Sequence, residues 1–191
     1  LAEELVLKQP VEPLSGVTAA DGSFGEAYAA LAAALSGDRP QLAVDRRFGL
    51  LGAAYMERSA ESLEMIDAHM LVAEAYVALG LYGDAATQLQ RAYGIWQTLE
   101  EGDPSVAARL QERLATVRLA QELADGEPDP AVLETATQQL AAAREAATRE
   151  LGADDPLTLR LVDRMADIAA ATGAAPADPE VEAALSARYG S

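Results

Sequence analysis

Ala75-Tyr76-Val77-Ala78-Leu79-Gly80-Leu81-Tyr82-Gly83-Asp84-Ala85-Ala86-Thr87-Gln88-Leu89-Gln90-Arg91-Ala92 holds a short Gly-containing turn between two apolar periodicities. Upstream of the turn, Ile66, His69, Met70, Ala73, Tyr76 and Val77 recur at three and four residues, which places them on one face of a helix. Downstream, Tyr82, Ala85, Ala86, Leu89, Ala92, Tyr93, Trp96 and Leu99 do the same. Two amphipathic helices joined by so tight a turn form an antiparallel hairpin.

The same alternation extends in both directions. It predicts helices over residues 24–35 and 40–56 before the hairpin, and over 105–123, 131–151, 157–171 and 180–188 after it, with breaks at Gly102-Asp103-Pro104, 125–130, 152–156 and Gly173. No window shows sustained period-two alternation, so strands have little support. Ala85, Leu89 and Ala92 recur 51 residues later as Ala136, Leu140 and Ala143, and Asp103-Pro104 recurs 52 later as Asp155-Pro156. A repeated hairpin of this length is the mark of an all-α solenoid, in which each unit buries its apolar face against its neighbours. The expected organisation is an irregular lead-in at 1–22, with a helical turn over Ala2 to Leu7, then capping helices at 23–60, repeats at 61–173 and a short C-terminal cap at 174–191. Val181, Ala184, Leu185 and Tyr189 are available in that last segment to cover the preceding helix.

Charge and composition narrow the function. Against 31 Asp+Glu stand 14 Lys+Arg, for a net charge of −17, and Lys8 is the single lysine. Phosphate backbones and anionic lipid need clustered cations, so nucleic acid and direct membrane binding are not expected. With no Cys and one His, thiolate zinc sites, disulfides and multi-His metal centres are excluded. The absence of Cys suits oxidising and reducing compartments equally, so cytoplasmic and periplasmic locations both stay open. No stretch is long and apolar enough to span a bilayer, and the chain begins at Leu1, as a segment excised from a longer protein would. No phosphate loop, dinucleotide fingerprint, nucleophile elbow or His-Glu-x-x-His motif is present; neither an enzyme nor a cofactor is expected.

Residues 75–85, with Leu89 and Ala92, resemble the tetratricopeptide repeat, with its Tyr, its Gly-x-Tyr-x-x-Ala and its later Ala. The stretches Gly102-Asp103-Pro104-Ser105-Val106-Ala107 with Leu110, and 151–159 with Met165-Ala166, are similar to the longer variant of kinesin light chains and many bacterial proteins, which carries an Asp/Glu-His-Pro before each first helix. The second repeat lacks the Gly-x-Tyr, and its register stays open by one residue. The resemblance implies a tetratricopeptide-like superhelix whose first helices line a concave groove. The groove residues would be Asp67, Met70, Glu74 and Val77, then Arg109, Glu112 and Thr116, then Arg160, Asp163 and Asp167. Five carboxylates against two arginines point to a basic or amphipathic protein or peptide partner. The chain is therefore expected to be a non-catalytic interaction module, a monomer if the cap holds and a homodimer if it does not. The stretch from Leu50-Leu51 to Ile66 also resembles the run-up to repeat arrays in membrane-anchored bacterial kinases and winged-helix regulators, so a sensor domain of a larger signalling protein is the alternative.

Single residues take plain readings first. Trp96, Tyr76, Tyr82 and Tyr93 at helical spacing read as core rather than as a stacking platform. His69, with no second His to share a metal, reads as a packed, hydrogen-bonded side chain. The carboxylate pairs Glu100-Glu101 and Asp154-Asp155 could face a hard cation but sit beside loop prolines, where like charges are readily solvated, and the 125–129 loop lacks the alternate-position ligands and distal Glu of a calcium loop.

Overall fold

The computed structural model describes residues 13–99, 102–126 and 128–190. Among them are eight helices and no strand: α1 (Gly22–Ser36), α2 (Pro40–Glu57), α3 (Leu63–Val77), α4 (Tyr82–Thr98), α5 (Pro104–Asp125), α6 (Pro130–Leu151), α7 (Pro156–Thr172) and α8 (Pro179–Tyr189). The expected turn over Ala2 to Leu7 and the Glu100-Glu101 pair lie outside the described residues.

The helix starts follow from chemistry visible in the chain. α5 to α8 each begin at an Asp-Pro pair. The Asp carboxylates of 103, 129, 155 and 178 accept from the backbone N–H of Ser105, Ala131, Leu157 and Glu180. The proline loses nothing in a first turn, where its missing N–H would have no helical partner. Acidic loop residues thus serve as N-caps, and Asp155 of the Asp154-Asp155 pair is one of them. Ser62 caps α3 by accepting from Met65 N–H. Gly80 closes the α3–α4 turn at φ +70°, a conformation that strains any residue with a Cβ.

The described residues fall into two compact units, divided between Gly102 and Asp103, inside the 61–173 stretch. In the first, α3 lies against α1, α2 and α4. Phe24, Leu31, Leu50 and Val72 anchor a core shared by α1, α2 and α3, so the N-terminal helices are built into the same core as the first hairpin. α3 is buried along most of its length, whereas α4 buries one stripe, Ala85, Ala86, Gln88, Leu89 and Ala92. In the second unit α5 lies against α6 and α7, and α8 against α7. The pattern returns: α5 is buried on several sides, and α6 buries Leu133, Ala136, Leu140, Ala143 and Ala147 only. No described helix is long and apolar enough to cross a membrane.

Candidate interaction surface

The ten residues read from the sequence as a groove do not share one open face. Asp67, Met70, Val77, Glu112, Thr116 and Asp167 are buried; Glu74, Arg109, Arg160 and Asp163 are half-buried. The reason is that the first helix of each hairpin has neighbours on more than one side, so positions free of the hairpin contact still meet protein.

The buried acids find their hydrogen-bond partners within the fold. Asp67 accepts from Leu14 N–H at 2.7 Å, Ser15 N–H at 2.8 Å and the Ser15 hydroxyl at 2.6 Å, which ties the lead-in to α3. Burial pushes its carboxyl up, and these three donors only partly offset that. Asp167 accepts from Arg164 at 2.7 Å, Arg188 at 3.0 Å and the Tyr189 hydroxyl at 2.7 Å. Glu112 accepts from Arg164 Nε at 3.3 Å. These acids are spent on the fold, which removes most of the basis for a preference for basic partners.

The C-terminal cap does pack on α7, but differently from the apolar cover expected. Val181 is buried and Ala184 and Leu185 half-buried, whereas Tyr189 is 37% exposed and uses its hydroxyl on Asp167. Arg188 pairs with Asp163 and Asp167, and Arg144 of α6 binds Asp178 and Glu180 at the start of α8. The aromatic residues also depart from expectation. Tyr76, Tyr82, Tyr93 and Trp96 are half-buried rather than core, and the Tyr93 and Trp96 rings lie 5.4 Å apart between centroids. The buried stripe of α4 is Ala85, Ala86, Gln88, Leu89 and Ala92, with no aromatic among them. His69 matches its plain reading: it is buried, and its Nδ1 meets Gln88 Oε1 at 2.9 Å.

The surface that stands out is one the sequence reading passed over. On α2, Phe48 is 71%, Tyr55 61% and Met56 80% exposed. Their spacing of seven and eight residues puts them on one face, with Gly52 between them, where an added Cβ would meet nothing within 4 Å. Arg47 donates to Val44 O at 2.7 Å, and its guanidinium sits 4.2 Å from the Phe48 ring centroid, fixing that ring in place. A period count over residues 40–56 does give the signal, because Phe48, Tyr55 and Met56 fall opposite the buried Ala43, Leu50 and Ala54. No protein-family model matches the chain, and no curated protein sequence matches it.

Proposed function

We propose that the chain is a non-catalytic interaction module, a tetratricopeptide-like solenoid that holds an amphipathic protein or peptide segment. The observation that carries this reading is the α2 face: three large apolar side chains in water on one side of a helix cost solubility and are commonly kept for a partner. The buried stripes of α4 and α6, 51 residues apart and built of the same Ala, Leu, Ala, support the repeat reading. An amphipathic segment suits the face because its apolar side covers Phe48, Tyr55 and Met56 while its polar side stays in water.

Selection of helical peptides from a random amphipathic library on the whole chain tests this, followed by fluorescence anisotropy. Selected peptides should bind the Phe48→Ser/Met56→Ser double variant at least about tenfold more weakly, as expected for removal of central apolar anchors. Equal binding would sink the assigned face, and a selection that enriches no peptide would sink the interaction role itself. Both side chains are exposed, so the variant keeps the core intact.

A further inference from the structure

His69 is the only histidine of the chain and is 8% exposed. Because an amide oxygen can only accept, the contact with Gln88 Oε1 puts the proton on Nδ1 and leaves the lone pair on Nε2. Burial, with the Arg91 charge added to it, lowers the imidazole pKa, and the Gln88 bond opposes this only in part, so the ring is neutral near pH 7. Nε2 has no partner among the described residues, yet it is not sealed away. His69 lines a shallow cleft, open to solvent, of about 460 Å³ between α3 and α4, together with Met65, Ile95, Gly94, Arg91 and Glu61.

The chemistry of that wall is specific. His69 Nε2 and the Glu61 carboxylate are acceptors, and the exposed Arg91 is a cationic donor with no carboxylate partner among the described residues. Met65 and Ile95 supply apolar surface, and at Gly94 an added side chain would meet only open space, so nothing fills the cleft from within. A cation alone would face Arg91, and an anion alone would face Glu61. A molecule with both charges and an apolar body answers every group at once, and the volume suits one small molecule rather than a folded segment.

We propose that the α3–α4 cleft binds a free apolar α-amino acid as its zwitterion: the ammonium donates to His69 Nε2 and Glu61, the carboxylate accepts from Arg91, and the side chain lies on Met65 and Ile95. This site is separate from the α2 face, and neither reading depends on the other.

Isothermal titration of the whole chain with L-leucine, isoamylamine and 4-methylpentanoate tests the proposal, since the last two each keep one of leucine's charges. Leucine should give a saturable isotherm, each analogue should bind at least about tenfold more weakly, and Arg91→Gln should weaken leucine about tenfold with an unchanged circular-dichroism melt, as loss of one charge-assisted contact predicts. Absence of leucine binding, analogues as tight as leucine, or an Arg91→Gln variant that binds normally would each overturn it. Arg91 is exposed, so this variant tests the site without loading the core.

Discussion

Tyr28 and Asp67 show two outcomes for a polar group taken out of water. The Tyr28 hydroxyl is buried with no hydrogen-bond partner among the described residues, and burial with Asp67 and Glu74 nearby raises its pKa. Asp67 instead gathers three donors from the lead-in, so burial there orders a segment more than fifty residues away in sequence. His69 is an intermediate case with a measurable consequence. Its folded pKa lies below the ordinary imidazole value of 6.5, so as pH falls through 6.5 the unfolded chain takes up a proton that the folded chain refuses. The stability this residue allows is complete above pH 6.5 and is lost as pH drops toward the folded value, with a slope of at most about 1.4 kcal/mol per pH unit. Urea midpoints at pH 7.5, 6.5 and 5.5 should therefore fall more steeply for the natural chain than for His69→Asn, and parallel curves would show that the ring titrates as if free.

At the scale of elements, the hairpins depend on small residues. Ala85 and Ala92 of α4, and Ala136 and Ala143 of α6, are at most 2% exposed, and their size sets how closely each second helix approaches its neighbour. Ala85→Leu should overfill that contact and cost about 1–3 kcal/mol, read as a lower urea midpoint with an unchanged slope. A loss within about 0.5 kcal/mol, the range of ordinary surface changes, would mean that the helices part freely there. The polar side of the packing uses the same repeat distance. Glu112 of α5 and Arg164 of α7 are 52 residues apart and bonded to each other, so neighbouring first helices are joined through equivalent positions. Helix ends were readable because Asp-Pro pairs and glycines act locally; this ion pair was not, because neither residue alone marks itself as internal.

For the whole molecule, the net charge of −17 and the C-terminal helix bear on assembly. α8 covers part of α7 with Val181 and holds it through Arg144, Arg188 and Tyr189. The full chain should be a monomer by light scattering, its like charges opposing self-association. Truncation after Gly173 removes α8, leaves Met165 and Ile168 uncovered, and should produce a dimer. Monomers in both cases would mean that α8 hides no associating surface, and a dimeric full chain would mean that it caps nothing.

The sequence alone determined the described helices, their bounds to within two or three residues, and the small buried residues that recur between α4 and α6, Ala85, Leu89 and Ala92 with Ala136, Leu140 and Ala143. Periodicity, N-caps and Gly turns are properties of a few neighbouring residues, and they need no partner from elsewhere in the chain. The tertiary structure decided which polar residues lie inside, that Trp96 and the tyrosines of the hairpin are only half-buried, and that Phe48, Tyr55 and Met56 stay uncovered. Asp67, Glu112 and Asp167 look in sequence like solvated carboxylates. Ser15, 52 residues before Asp67, Arg164, 52 after Glu112, and Tyr189, 22 after Asp167, make them internal. Whether a charge is hydrated or buried depends on which distant donors the fold brings to it, and no local pattern carries that information.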